Sequence, residues 1–456
     1  MPSEDRTAPA PGDGEKTLSP GDEIELVAGE VAHGGWCVAR LAGAGRGEQA
    51  EPGGVGPVVF IRHTLPGERV RARITEVTAR FARADAIQIL TPAAGRVEPP
   101  CPYAHPGGCG GCDWQHASLP TQRELKAAVV AQQLRRISGI ERAVTVEALP
   151  GDHPGDPGPG LGWRTRVTFA VRPDGQAGLR AHRSHDVVEI DDCLIAHPRI
   201  RDLGVTRRRW PRARSVEAVT GTGGPERAVI VTGGRPAHLN ELPAEAVLGR
   251  SRGRTTVYRG RPYVSEQAAG RSWRVSAPGF WQVHPAVADV LVTAVLAALD
   301  PQPGDRALDL YCGAGLFTGA LAAAVGPDGA VTGVESDRVA VRDARRNLRD
   351  TPWATVHQGD AGQVLACQQA GSPAARLTVL DPPRTGVARD VIDYLTGPAA
   401  EIAGPRRIAY VSCDPATLAR DLGLLVAGGW RLEELRAFDA FPMTHHVECL
   451  ATLAGG

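Results

Sequence analysis

The sequence predicts a multidomain protein with an N-terminal OB-like β-barrel, an α+β middle domain and a C-terminal doubly wound α/β domain. Three observations carry this. From Asp22 to about Leu90, short segments alternate with period two between glycine-rich turns; an irregular stretch with grouped cysteines follows; from about Tyr263, strands alternate with helices. At 456 residues the chain exceeds what one hydrophobic core ordinarily supports, so two or three domains are expected. The expected boundaries are a disordered tail at 1–17, a barrel at 18–92, a middle domain at 93–265 and the α/β domain at 266–456.

In the first segment, Glu23–Val27, Val58–Ile61 and Arg69–Ile74 put apolar and polar side chains on opposite faces, as barrel strands do. In the second, Leu119 to Ile137 reads as a helix, and a Gly/Pro-rich loop spans Pro150 to Gly160. Strands are expected at Arg166–Ala170 and Val187–Ile190. In the third, Arg306–Leu310 is an apolar strand followed by a glycine turn and an Ala/Leu helix. Val331–Glu335, Leu377–Leu380 and Arg407–Val411 are further strands, and Ala340–Leu348 a helix. Such alternation implies a mostly parallel sheet.

Ligands of open α/β sheets sit beyond the carboxyl ends of the strands. Here those ends carry Asp309 with Cys312-Gly313-Ala314-Gly315, then Glu335, Asp360 and Asp381. Glycines let backbone approach a ligand closely, and Glu335, about twenty residues on, suits the two hydroxyls of a ribose. The spacing alone fits either a nicotinamide dinucleotide or S-adenosylmethionine. Phe317 and Thr318 stand where a dinucleotide fingerprint has its third glycine, which favours the nucleoside without a diphosphate.

Cys413, in Val411-Ser412-Cys413-Asp414-Pro415, follows a strand end and is placed as a nucleophile. Its bland alternative is a packed cysteine. Glu448 interrupts an apolar strand near the C-terminus. A buried carboxylate there has a raised pKa and can serve as a base; an edge-strand charge is the simpler account.

Together, Leu308-Asp309-Leu310-Tyr311-Cys312-Gly313, Asp381-Pro382-Pro383-Arg384, Val-Ser-Cys-Asp-Pro and Phe441-Pro442…His446-Val447-Glu448 resemble the RNA 5-methyluridine methyltransferase family. Phe280-Trp281-Gln282-Val283-His284 is similar to that family's Phe-x-Gln-Val-Asn segment, and Leu65-Pro66-Gly67-Glu68 to the turn of its RNA-binding TRAM barrel. The resemblance implies a class I methyltransferase domain, with S-adenosylmethionine contacted by Gln282, Tyr311, Gly313, Glu335, Asp360 and Asp381. It implies Cys413 as nucleophile at C6 of uridine and Glu448 as the base at C5. His284 departs from the family's asparagine, and Leu316 stands where some members carry a cofactor-binding asparagine. An N-methyltransferase is the competing enzyme class, because Asp-Pro-Pro also grips amines; an inert RNA-binding protein is the competing non-enzyme.

Cys101, Cys109 and Cys112 form C-x7-C-x2-C, and Cys193 lies eighty residues further on. Four thiolates suit zinc or an iron–sulfur cluster. The resemblance implies a [4Fe–4S] cluster with zinc as runner-up, although the first spacing is two residues longer than the family's. That cysteine pattern tilts the expected RNA substrate toward 23S ribosomal RNA over transfer RNA.

Composition sets the remaining bounds. The chain is 42% apolar and 22% charged, with no apolar run approaching the roughly eighteen residues of a membrane span. The first seventeen residues lack a signal-peptide pattern, so a cytoplasmic monomer is expected. Formal net charge is zero, which by itself does not favour RNA. Arginines nevertheless crowd residues 62–83 and surround Trp210 at 207–214. Guanidinium forks suit phosphates and an indole suits a base; a solvated face is an equally simple account of each cluster.

Overall fold

The computed structural model describes residues 18–41, 57–151, 158–234, 236, 240–368, 375–397 and 404–455. The expected tail at 1–17, and residues 152–157 of the Gly/Pro-rich loop, lie outside these. The chain forms two compact units, Met1–Arg96 and Val97–Gly456.

In the first unit β1 (Glu23–Val27), β2 (Val31–Ala32), β3 (Trp36–Arg40), β4 (Val58–Arg62), β5 (Arg69–Val77) and β6 (Phe81–Thr91) form one sheet. Its order is β1-β5-β6-β4-β3-β2. Gly29 N–H donates to the Val38 carbonyl at 2.8 Å, and Val38 N–H to the Glu30 carbonyl at 2.9 Å, so the chain leaving β1 meets β3 and the sheet curls on itself. The alternation seen in sequence fills the interior with Val59, Ile61, Val70, Ala72, Ile74 and Ala84. The turn at 65–68 works through Gly67, at φ +85°, and Glu68. The buried Glu68 carboxylate accepts from Leu65 N–H at 2.8 Å and pairs with Arg96. Outside, Glu23 and Glu25 of β1 stand opposite Arg73 and Arg71 of β5. Arg69 and Arg71 pair with Glu25, Arg73 with Glu23 and Arg83 with Glu76. Much of this arginine cluster is therefore neutralised within the barrel.

The second unit opens with α1 (Leu119–Gln133), capped by Ser118; the expected helix continues to Ser138 as a π-turn over Leu134–Ser138. Then come β7 (Val146–Glu147), β8 (Arg166–Val171), β9 (Ala177–Arg180), β10 (Val187–Glu189), α2 (Pro198–Arg201), β11 (Ser215–Thr220), β12 (Arg227–Thr232), β13 (Ala246–Ser251) and β14 (Arg254–Arg259). Strands β8 to β14 make a mostly antiparallel sheet, ordered β10-β9-β8-β11-β12-β13-β14. The hairpin β15 (Tyr263–Ala268) and β16 (Arg271–Ser276) leads into α3 (Val287–Leu299). Trp210 corrects a sequence expectation. Its ring is 1% exposed and its Nε1 donates to the Val205 carbonyl at 2.8 Å, so it packs the core and does not offer a face to a base.

The α/β region runs β17 (Arg306–Leu310), α4 (Leu316–Val325), β18 (Ala330–Glu335), α5 (Arg338–Asn347), β19 (Ala354–Gln358), α6 (Ala361–Gln368), β20 (Leu377–Leu380), α7 (Arg389–Thr396), β21 (Arg407–Ser412), α8 (Pro415–Ala427), β22 (Arg431–Phe438) and β23 (Glu448–Ala454). The sheet order is β19-β18-β17-β20-β21-β23-β22-β7. The first five strands are parallel and β23 is antiparallel to its neighbours. The small β7 from the middle segment extends this sheet alongside β22. One core runs through both sheets of the unit, joining Ile230 and Leu248 to Trp273, Leu291, Leu321 and Val379. Fusing the two layers fixes the middle segment against the strand ends where chemistry is expected.

Candidate active site

A cleft of about 1730 Å³ lies along the carboxyl ends of β17, β18, β20 and β21. Gln282, Tyr311, Gly313, Glu335, Asp360, Asp381, Cys413 and Glu448 all line it. Residues up to 166 positions apart in sequence thus meet in one cavity, because parallel strands put their ends on one edge.

The floor is a backbone turn. Tyr311 and Gly313 are left-handed at φ +71° and +54°, and Gly315 at +94° opens α4. Held this way, Tyr311 and Cys312 both donate N–H to the Val334 carbonyl, at 2.9 and 3.0 Å. Glu335 is fixed by Gly313 N–H at 3.0 Å and Asp337 N–H at 2.8 Å. Two backbone donors orient its carboxylate while it still faces the cleft, as a ribose-binding group requires. Asp337 caps α5 through Val339 and Ala340 N–H. Exposed Asp360 accepts from Gly362 N–H at 3.1 Å.

Asp309, at the end of the first strand, does not line the cleft. It is fully buried beneath the turn and accepts from Thr318 Oγ1 at 2.6 Å. Burial pushes its pKa up to about 7. Asp381 is likewise pushed up to about 7, by burial first and then by Asp309 and Glu335. Cys312 packs with Val341, Ala344 and Leu348.

Cys413 follows β21 directly, ahead of Asp414, whose side chain caps α8 by accepting from Ala416 and Thr417 N–H at 3.0 and 2.9 Å. Glu448 begins β23 instead of interrupting it, and is 4% exposed. Burial raises its pKa well above the usual carboxylate range; Asp381 adds to that and Arg384 opposes it. The Cys413 thiol is pushed up to about 12, by burial and then by Glu448, while Arg384 pulls it down by charge and hydrogen bonding. Thiol, carboxyl and guanidinium therefore share one small volume at the end of the cofactor cleft.

Arg384 was visible in sequence only as the last residue of a turn motif. Arg384→Met should raise the Cys413 pKa further, so the rise of kcat/KM with pH should move to more alkaline values and activity at neutral pH should fall. Arg384→Lys, which keeps the charge, should recover part of it. Coincident pH profiles for Arg384→Met and the parent protein would exclude this role.

The segment carrying Glu448 is held from far away. Met443, left-handed at φ +68°, donates N–H to Gln122 Oε1 at 2.7 Å, and its carbonyl accepts from Asp113 and Trp114 N–H at 3.0 and 3.1 Å. Asp113 also bonds His445 Nδ1 at 2.6 Å, and Lys126 pairs with Asp439 at 2.5 Å, both side chains fully buried. Leaving one such buried group unpaired costs about 1–3 kcal/mol, enough to favour this strained backbone. Trp163, Phe441 and His446 form an aromatic wall of the cleft, with Trp163–Phe441 centroids 6.1 Å apart and Phe441–His446 5.9 Å. Phe280, 68% exposed, stands at its rim.

Three of the four candidate metal ligands, Cys109, Cys112 and Cys193, lie near one another beside this segment. Cys112 and Cys193 pack against Trp163, Ile195 and Met443. Burial raises the Cys112 and Cys193 thiols, the latter to about 11, and the charge of Cys109 raises both further. Cys101 is raised by burial, with Asp192 adding to it. Among the described residues no group of three or more His, Cys, Asp or Glu side chains is set to hold a metal ion, and no helix is long and apolar enough to cross a membrane.

Five parallel strands followed by the antiparallel β23, in this order and with acidic strand ends around a glycine turn, define an S-adenosylmethionine-dependent methyltransferase fold. Residues 372–454 match the family model for tRNA (uracil-5-)-methyltransferases, 20–87 the TRAM domain, and 266–368 the protein-L-isoaspartate O-methyltransferase model. An uncharacterized RNA methyltransferase of Streptomyces coelicolor is 50% identical over 95% of this chain and 93% of its own. The 23S rRNA (uracil(1939)-C(5))-methyltransferase RlmD of Pseudomonas putida is 33% identical over 92% of this chain and 93% of its own. The solved tRNA (uracil-54, C5)-methyltransferase of Pyrococcus abyssi, bound to S-adenosyl-L-homocysteine, shares the fold. Its TM-score is 0.66 at 22% identity, covering 94% of this chain and all of that one. The chain belongs to the RNA 5-methyluridine methyltransferase family, and its methyl donor is S-adenosylmethionine.

Proposed function

We propose that this enzyme methylates C5 of a uridine in 23S ribosomal RNA through a covalent cysteine adduct. The observation that supports it best is the meeting of Cys413, Glu448 and Arg384 at one end of the cofactor cleft. C5 of uracil is a weak nucleophile. The Cys413 thiolate forms a bond to C6, and the displaced electron pair makes C5 enolate-like. C5 then takes the methyl group from the donor's sulfonium, leaving S-adenosylhomocysteine. Glu448 removes the C5 proton, the C5–C6 double bond re-forms, and Cys413 leaves as thiolate. A carboxylate whose pKa burial has raised is a stronger base for that proton.

Gln282, Tyr311, Gly313, Glu335, Asp360 and Asp381 serve as the donor-binding set, with Glu335 on the ribose. A target base reaches Cys413 only when flipped out of its stack, and the aromatic wall offers it a surface. The barrel and the middle segment present the RNA, and the protein acts as a cytoplasmic monomer. The 33% identity to RlmD supports ribosomal RNA. Mapping 5-methyluridine in ribosomal and transfer RNA from deletion and parent cells tests this: one 23S site should lose its methyl group. Loss confined to transfer RNA would reassign the substrate.

Cys101, Cys109, Cys112 and Cys193 would hold a [4Fe–4S] cluster. Thiols that raise one another's pKa become stable thiolates only beside a compensating cationic centre. Four sulfurs on one zinc, each at about 2.3 Å, must crowd within about 3.8 Å of one another. The likeness of the cysteine pattern to the family's favours the cluster, with zinc as runner-up. Its chemistry would be structural, tying residues 101–112 to the turn at Cys193. Anaerobically purified protein should be brown, with about four iron and four sulfide per chain, and Cys193→Ser should lose the colour. Colourless protein carrying one zinc would replace the cluster by a zinc site.

A further inference from the structure

We propose that the groove between the β15–β16 hairpin and the C-terminal end of α5 docks the phosphodiester backbone of the substrate RNA, at a site distinct from the cleft. This rests on the reading of the protein as an RNA methyltransferase. The groove encloses about 560 Å³ and is lined by Tyr263, Arg271, Arg274, Arg346, Arg349 and Asp350, with serines and Asn347 between them. Asp350, the single carboxylate of the lining, is taken by Arg271 at 2.7 Å. Among the described residues Arg274, Arg346, Arg349 and the adjacent Arg342 form no ion pair. Arg346, Arg349 and Arg342 are exposed, so the groove faces solvent with uncompensated positive charge.

The guanidinium of Arg274 lies 3.7 Å from the centroid of Tyr263. Partial burial lowers its pKa, the charges of Arg346 and Arg342 lower it further, and Tyr263 and Asp343 oppose them. Like charges held together in this way are relieved by an anion. Arg274 covers one face of Tyr263, and the groove's other donors include guanidinium and hydroxyl groups, which suit the backbone better than the bases. Arginine forks and hydroxyl donors match phosphate oxygens.

Its position suits a substrate that also enters the cleft. The N-terminal end of α5, at Val339 and Ala340, lines the cleft, while Arg346 near the other end lines the groove. From Ala340 to Arg346, six residues rising 1.5 Å each place the two about 9 Å apart along the helix axis. After β16 the chain passes through residues 278–283 of the cleft wall.

The test is the salt dependence of binding, measured without donor so that it is read independently of catalysis. Deproteinised large-subunit ribosomal RNA and a short uridine oligonucleotide that fills only the cleft are the probes. For the Arg342→Ala/Arg346→Ala/Arg349→Ala protein, the slope of log affinity against log salt on the long RNA should fall by roughly two to three, about one per lost phosphate contact. Affinity for the long RNA should drop about tenfold or more at low salt, while oligonucleotide and donor affinities stay at parent values. Arg346→Lys should keep the parent slope and Arg346→Glu should lose more than Arg346→Ala. An unchanged slope in the triple variant, or an equal loss on both probes, would overturn the proposal. A groove-dependent slope in a protein that methylates no uridine would support the groove and refute the activity instead.

Discussion

Cys413→Ala is expected to reduce methyl transfer by about 10⁴-fold or more while leaving S-adenosylmethionine affinity within a few-fold of the parent protein. The size follows from the chemistry. Without addition at C6, C5 of uracil lacks the electron density to attack a sulfonium methyl, and among the described residues no other thiol is placed to substitute. Cys312 also lines the cleft, yet its sulfur is packed against Val341 and Ala344, and burial raises its pKa well above the ordinary thiol value. The proposed donor-binding groups sit on other strand ends, Glu335 on β18 and Gly313 after β17, so their geometry does not depend on the Cys413 side chain. Rapid-quench assays for transfer and calorimetry for donor binding separate the two effects. Appreciable 5-methyluridine from the Cys413→Ala protein would eliminate the covalent route.

Glu448→Gln is expected to lower turnover about 10²- to 10⁴-fold, and to do so at a later step. Addition of Cys413 and methyl transfer precede loss of the C5 proton, so the glutamine protein should stall with the methylated base still bonded to sulfur. It should accumulate as an RNA-linked species on a denaturing gel. The substitution preserves shape and, by removing a buried carboxyl whose ionised form is disfavoured, should not destabilise the fold. An unlinked, inactive Glu448→Gln protein would place Glu448 before addition, and normal turnover would remove it from the reaction.

The place of Cys413 in the cleft was legible in the sequence because it follows a strand end, and strand ends can be read. Apolar runs such as Leu377–Leu380 and Arg407–Val411 mark buried parallel strands, and the polar residue after each marks the crevice. Asp309 shows where that rule stops. The same position on the first strand turns inward beneath a left-handed tyrosine, and no local pattern announces a positive φ at a non-glycine residue. Trp210 was misread for a related reason: its flanking arginines are local, but the Val205 carbonyl and the core around the ring belong to the folded chain. The strand limit at Glu448 was off because apolar flanks on both sides hide where pairing begins. Least legible was the tie between Gln122 and Met443, 321 positions apart. A helix-face glutamine carries no sign that it will clamp the backbone of the segment leading to Glu448.

The central claim is that Cys413 and Glu448 carry out a methyl transfer that exchanges the C5 hydrogen of uridine for a methyl group. RNA transcribed with uridine tritiated at C5 tests it most directly, by counting tritium released to water against methyl groups taken from labelled S-adenosylmethionine. Equal, one-for-one release and transfer are expected from the parent protein. The Glu448→Gln protein should transfer methyl into the linked species with little tritium released. Methyl transfer without tritium release by the parent protein would locate the new bond elsewhere on the RNA and contradict the mechanism.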